Sequence, residues 1–326
     1  MGERPLRIVT AVAAYDGHDA SVLALNRALL AGARPVEVIY LGFNMTGERI
    51  AMATLQEGAD AVAVSSYNGG HLQFFPHLIK RLAEKGMERT LVFGGGGGTI
   101  IAGDAAALEA AGVEKIYGPG WPLDAIAADL TGRIADGLAR LSAFPVPTSL
   151  TEGPPSHTFL SRLLSMADHG AEEVPETYKA WLTRTDAPTR VVAIAGDGGS
   201  GKSTLIDELI RHFLETFPDK KIAILANDPT TAFGGAAGAF LADRVRMNNI
   251  YDDHIWLRSV ATGTVYAPLS PGLPRMLRVF GVAGYDLALI ETPGTGQTGL
   301  DLSALKADLL LYIKTREYGG SLQLQK

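Results

Sequence analysis

The chain has 326 residues, enough for about two domains, and its 47% hydrophobic and 20% charged content is that of a globular protein. A formal net charge of −6 is not the basic footprint of a nucleic-acid binder. There is no cysteine, which excludes disulfides, thiolate metal sites and a cysteine nucleophile, and no apolar run has the length that crosses a bilayer. The start, Met1 to Pro5, leads straight into an apolar segment without signal-peptide character, so the expected location is the cytoplasm, away from membranes and nucleic acid.

Apolar segments then alternate with amphipathic ones. Leu6 to Ala14 reads as a strand and Asp19 to Leu30 as a helix. The pattern repeats with Val36 to Leu41 and Gly47 to Glu57, Ala61 to Ser65 and Leu72 to Lys85, Thr90 to Phe93 and Ile101 to Ala111, and Glu114 to Tyr117 and Leu123 to Leu141. Five such units predict a doubly wound parallel sheet, flavodoxin-like or Rossmann-like, over residues 1–142. Its unusual residues fall after the strands, where such sheets bind ligands: Asp16 to Ser21, Ser65 to His71, the five glycines Gly94 to Gly98, and Gly118-Pro119-Gly120. An Asp two residues before a His can orient the imidazole as a metal ligand. The glycines clear room for a flat ligand. The loop is not a GxGxxG fingerprint, and no acid follows strand two at Tyr40 to Asn44, which disfavours NAD.

Residues 143–188 open with a Pro-rich stretch, Phe144 to Ser156, that reads as a linker, followed by a helical stretch from Thr158 to Thr185. A second α/β domain is predicted over 189–326. Its order is a strand over 191–195, the loop Gly196-Asp197-Gly198-Gly199-Ser200-Gly201-Lys202-Ser203, a helix over 204–214, and strands at Ile222 to Ala226 and Ile255 to Ser259 separated by a long loop. A helix near Pro274 to Phe280 and strands at Leu287 to Ile290 and Leu309 to Ile313 complete it. The loop matches GxxxxGK[ST] in full between a strand and a helix, the context of a phosphate loop. Backbone amides and the helix N-terminus attract phosphate, Lys202 reaches the β- and γ-phosphates, and the Ser203 hydroxyl ligates Mg²⁺. Glu291 ends an apolar strand and begins Glu291-Thr292-Pro293-Gly294, which resembles the Asp-x-x-Gly switch of GTPases; an acid there holds Mg²⁺. Asp228 and Asp243 are further candidate Mg²⁺ carboxylates and Arg246 a candidate phosphate partner. No Asn-Lys-x-Asp base-reading motif is present, and Ser321 to Lys326 carry no cap, proline or charged tail. The sequence therefore reads as a piece of a longer protein with an incomplete P-loop GTPase domain.

The second domain resembles the metallochaperone G proteins that serve cobalamin-dependent acyl-CoA mutases, through the phosphate loop, Asn227 to Thr230, Ala242 to Met247, Glu291 to Gln297, and Tyr312 to Lys326. The resemblance implies GTP phosphates bound by Gly199, Ser200, Gly201, Lys202, Ser203 and Thr204. It implies Mg²⁺ surrounded by Ser203, Asn227 (through its backbone), Asp228, Asp243, Glu291 and Thr292, with Arg246 on GTP and Lys202 and Glu291 as the catalytic pair. Ala242 stands where Gly is usual, and Pro293-Gly294-Thr295 where Val/Ser-Gly-Val/Ile is typical. The first domain resembles the cobalamin-binding domain of adenosylcobalamin-dependent mutases. Their Asp-x-His-x-x-Gly falls on Asp16 to Ser21, with Ser21 for the last Gly; Ser-x-Leu falls on Ser65-Ser66-Tyr67 without the Leu; and Gly-Gly falls on Gly94-Gly95. By resemblance His18 is the lower ligand of cobalt, and the displaced dimethylbenzimidazole tail passes Ser65 and Gly94.

The order of domains is similar to that of the fused isobutyryl-CoA mutases, in which a substrate-binding barrel follows. This implies adenosylcobalamin, GTP and Mg²⁺ as cofactors and an acyl-CoA, isobutyryl-CoA interconverting with n-butyryl-CoA, as substrate through a barrel absent from this chain, with a homodimer when complete. The alternatives are a stand-alone corrinoid carrier or chaperone for a separate methylmalonyl-CoA-type mutase, a corrinoid-responsive regulator, and a plain P-loop NTPase in which His18 is inert.

Overall fold

A computed structural model describes residues 4–140, 155–169, 189–233, 236–264, 267, 269–294 and 305–314. Contacts group the chain into two units, 1–165 with 230–245, and 166–229 with 246–326.

In the first unit β1 (Leu6–Val12), β2 (Val36–Tyr40), β3 (Ala61–Ser65), β4 (Leu91–Gly95) and β5 (Lys115–Tyr117) run parallel. Their order, β5-β4-β3-β1-β2, is that of a flavodoxin-like sheet. Every residue of β1, β2 and β3 is buried, as a parallel sheet covered on both faces requires. The crossovers set α1 (Ala20–Leu30) and α5 (Leu123–Arg140) together on one face and α2 (Gly47–Glu57), α3 (His71–Glu84) and α4 (Ala102–Ala110) on the other, as the right-handed rule for parallel strands requires. Ile8, Leu29, Val38, Phe93, Leu130 and Ile134 share the core under α1 and α5. α6 (His157–His169) begins one residue before the stretch read as helical from Thr158; the remainder of that stretch lies outside the described residues.

The long loop read between Ala226 and Ile255 is in fact structured. It forms a hairpin, β8 (Thr231–Phe233) and β9 (Ala236–Leu241), and β9 pairs parallel to β2, so the sheet runs β5-β4-β3-β1-β2-β9-β8. Arg244, just beyond β9, meets the same unit. Its Nε donates to Glu57 Oε1 at 2.7 Å and its Nη2 to Gln56 Oε1 at 2.9 Å. Glu57 Oε2 in turn accepts from Arg7 Nη2 at 2.8 Å, and Arg7 also pairs with Glu37. Two cations and two anions, all but fully buried, balance one another.

The second unit is a parallel sheet ordered β10-β7-β11-β6-β12. Its strands are β6 (Arg190–Gly196), β7 (Ile222–Asp228), β10 (Ile255–Ala261), β11 (Leu287–Glu291) and β12 (Leu309–Ile313), with α7 (Lys202–Thr216) and α8 (Leu273–Val282). Ile194, Ile206, Ile210, Ile224, Leu257 and Leu289 build its core. β11 lies between β6 and β7, with Glu291 level with Ile194 on one side and Ala226 on the other. That register brings the acidic end of β11 beside the glycine loop. Both units are thus the parallel α/β folds that the strand–helix alternation predicts.

Candidate functional sites

In the first unit the sheet changes direction of winding between the adjacent strands β1 and β3, and the loops after them diverge to leave a crevice. Asp16 sits there, almost fully buried, while the His18 side chain is 77% exposed. One Asp16 oxygen accepts from the His18 amide at 3.0 Å and lies 2.7 Å from His18 Nδ1; the other accepts from the Tyr67 amide. Burial pushes this carboxyl up, but the donors from His18 and Tyr67 outweigh it and hold the group below its ordinary value of 3.8. An ionised carboxylate only accepts, so Nδ1 faces it as a donor, and in the neutral ring Nε2 then holds the lone pair. Tyr15 N donates to Asn44 Oδ1 at 2.8 Å and Asn68 Nδ2 to the Ala14 carbonyl at 2.6 Å, which ties the loops after β1, β2 and β3 together. The Tyr67 ring stands 5.6 Å from the His18 ring.

Beside this pair opens a slot of about 200 Å³. Ser65 and Ser21 lie at it with their hydroxyls 3.4 Å apart, and Gly94 and Gly95 form part of its wall. A Cβ on Gly94 would meet Ile116 Cδ1 at 2.5 Å and Phe75 Cζ at 2.6 Å. Asp16, His18, Ser65, Gly94 and Gly95, chosen from sequence, thus share one edge of one sheet. Sequence reasoning missed the apolar lining, Leu25, Tyr117, Trp121, Ile126 and Leu130 among it. Tyr117 stacks with Phe93 and meets Trp121 edge-on, while its hydroxyl donates to Asp129 at 2.9 Å, so the ring faces an aromatic wall and its polar end is held elsewhere. A signal existed in Trp121, a large apolar residue in a Gly-Pro-Gly loop. The edge also exposes Tyr15, Phe43, Ile101 and Trp121, each following a different strand. A free imidazole nitrogen beside an apolar, glycine-walled slot fits a corrinoid with a flat tail.

In the second unit the loop after β6 turns through positive φ at Gly199 (77°) and Gly201 (92°), and α7 starts at Lys202. Lys202 Nζ donates to the carbonyls of Gly196 (2.9 Å) and Asp197 (3.0 Å). Ser200 Oγ is buried in this loop with no hydrogen-bond partner among the described residues, as a loop built around an acceptor ligand provides. Ser203 Oγ donates to Glu291 Oε1 at 2.7 Å, which joins the phosphate loop to the switch. Thr204 follows in the first turn of α7. Thr292 is buried, its amide bonded to the Ile194 carbonyl at 3.0 Å. Gly294 abuts the phosphate loop: a Cβ there would sit 2.7 Å from Gly198 Cα. Asn227 and Asp228 end β7, where Asn227 is buried and accepts from the Ser270 amide at 3.2 Å. Asp243 and Arg246 bound a 3₁₀ turn, the first buried and the second exposed. Among the described residues no three His, Asp or Glu side chains gather closely enough to hold a metal ion. Ser203 and Glu291, hard oxygen donors already in contact, fit the start of a magnesium shell. Among the described residues no helix is long and apolar enough to cross a membrane.

Fold and sites together define a two-part α/β chain, a ligand-binding doubly wound sheet with an oriented imidazole and a P-loop nucleotide unit. Comparison with known proteins agrees on both parts. Residues 6–127 match the B12 binding domain, and residues 162–326 match MeaB, the methylmalonyl Co-A mutase-associated GTPase. The chain belongs to the MeaB GTPase family, with a B12-binding domain in the same polypeptide. Among curated relatives, the fused isobutyryl-CoA mutase of Geobacillus kaustophilus is 38% identical over 98% of this chain, and that of Cupriavidus metallidurans is 38% identical over 98%. The chain spans 30% and 29% of those proteins. The 2-hydroxyisobutanoyl-CoA mutase small subunit of Aquincola tertiaricarbonis is 33% identical over 43% of this chain and is covered in full.

Proposed function

We propose that this chain is the cobalamin-binding and GTP-hydrolysing part of an adenosylcobalamin-dependent acyl-CoA mutase that interconverts isobutyryl-CoA and n-butyryl-CoA. The reading rests on one observation above the rest, the exposed His18 ring whose Nδ1 is held by a buried, ionised Asp16. His18 Nε2 is the nitrogen offered to cobalt, and Asp16 fixes the tautomer that offers it. Ser65, Gly94 and Gly95, with the aromatic wall, receive the flat tail of the cofactor. When bound, adenosylcobalamin supplies the radical chemistry through its cobalt–carbon bond.

In the second unit Gly199 to Thr204 hold the phosphates of GTP, and Lys202 moves from the loop carbonyls to the β- and γ-oxygens. Ser203 and Glu291 hold Mg²⁺, with Asn227, Asp228, Asp243 and Thr292 as the further groups and Arg246 on the nucleotide. We assign residues 1–142 to the cobalamin domain, 143–188 to the linker and 189–326 to the GTPase, the β8–β9 hairpin being lent to the first. Substrate enters through the additional length that the fused relatives have, for which the apolar residues at the cobalamin edge offer a docking rim; a homodimer is the proposed assembly. Mixing the chain with hydroxocobalamin should shift its visible absorbance to the histidine-ligated form, and His18→Ala should abolish that shift. A wild-type spectrum without change, or an identical one from the variant, overturns the assignment.

A further inference from the structure

The hairpin β8–β9 is encoded inside the residues that match the GTPase, yet it packs as part of the B12-binding sheet. It is tied on both sides to the candidate nucleotide groups. Only Pro229 and Thr230 separate Asp228 from β8, and only Ala242 separates β9 from Asp243. One extended residue spans at most about 3.6 Å, so these connections hold little slack. Any displacement of Asp228 or Asp243 would therefore meet the hairpin within two residues.

The hairpin is in turn fastened to β2. Glu37, Val38 and Ile39 pair with Ala239, Phe240 and Leu241, and Arg244 is anchored on Glu57. From β9 the contacts lead to the imidazole. The Phe240 ring stacks on Tyr40 of β2, with centroids 5.9 Å apart and planes 26° apart. The Tyr40 hydroxyl lies 3.5 Å from Asp19 Oδ2, and Asp19 is the residue after His18. Phe240 also packs with Val12, Val22 and Leu23, the last residue of β1 and the start of α1, between which the His18 loop runs. Just past Tyr40, Asn44 N donates to the Asp16 carbonyl at 3.1 Å.

We propose that the β8–β9 hairpin carries the state of the nucleotide to the corrinoid site, with Phe240, Tyr40 and Asp19 as the positioning residues that set how firmly the His18 loop grips cobalt. This rests on the functional reading above and names the element through which its two sites communicate. Linkage makes such coupling reciprocal: whatever factor nucleotide imposes on corrinoid affinity, corrinoid imposes on nucleotide affinity.

The test uses the full chain. Hydroxocobalamin affinity is titrated spectroscopically with GDP–Mg²⁺ and with a non-hydrolysable GTP analogue–Mg²⁺, and nucleotide affinity with and without hydroxocobalamin. The wild type should show a ratio of about fivefold or more, equal in both directions. Phe240→Ala should bring the ratio close to one while both ligands still bind, and Phe240→Tyr should restore it. Tyr40→Phe keeps the ring and its packing and loses only the hydroxyl; it should reduce the ratio and serves as the test if Phe240→Ala does not fold. A wild-type ratio of one with both ligands bound, or full coupling in Phe240→Ala or, failing that, in Tyr40→Phe, overturns the proposal alone. Failure of the wild type to bind either ligand removes the functional reading with it.

Discussion

At the level of single residues, Asp16 acts only by accepting. Asp16→Asn keeps the shape and inverts part of that chemistry, because an amide nitrogen donates toward His18 or Tyr67. Cobalamin affinity should fall by about 10- to 100-fold, the range for losing a group that orients a metal-bound histidine, with GTP affinity in the same chain unaltered. The pH dependence has a definite sign. A carboxyl held below its ordinary value contributes stability above that value and loses it as pH falls through the depressed one, so the Asp16–Tyr67 tie should open only in acid, below the range where free aspartate titrates. Backbone chemical shifts of Tyr67 across an acid titration report it, and Asp16→Asn should abolish the transition. Gly94 argues from space instead. A methyl there collides with the side chains of Ile116 and Phe75, neither of which lines the slot, so Gly94→Ala should cost about 1–3 kcal/mol in thermal or urea unfolding. Asp16, His18 and the glycines could be chosen from sequence because they follow apolar strands, on the loops where a doubly wound sheet binds its ligands. Tyr117, Ile126 and Leu130 were not, because an apolar residue that lines a cavity and one that fills a core look the same until the backbone is placed.

Among elements, the strands and helices of both sheets follow the sequence periodicity closely, with most ends within one or two residues. β8 and β9 escaped it. Thr231 to Phe233 and Ala236 to Leu241 are short and rich in alanine and glycine, and they become strands only because β2 presents an edge to pair with. Tertiary pairing outweighs such weak local preference. The ion cluster escaped for a similar reason, since Arg7 and Arg244 are 237 positions apart in a chain where either alone reads as a surface charge. Glu57 holds both of them. Glu57→Gln leaves a buried guanidinium without its counter-charge and should destabilise the first unit by about 3–5 kcal/mol in urea unfolding, whereas breaking a fully exposed pair such as Arg211 with Glu208 should leave the unfolding curve nearly unchanged.

For the molecule as a whole, each ligand should stabilise the unit that binds it. GTP–Mg²⁺ at 100 times its dissociation constant should add about 2.7 kcal/mol to unfolding of the P-loop unit, and Lys202→Ala should remove most of that gain along with phosphate release. Denaturant unfolding followed at Trp256, buried in β10, reads that unit once Trp121 and Trp181 are replaced by Phe. The borrowed strand has a consequence for how such a gene can be divided. A cut anywhere between residues 142 and 189 leaves β2 with bare amides and carbonyls along one side, and Glu57 without one of its two cations. An open parallel edge invites pairing with whatever strand is at hand. Evolution by fission of this polypeptide therefore demands either that the two products stay bound through that seam or that the amino-terminal product acquires a new border of its own.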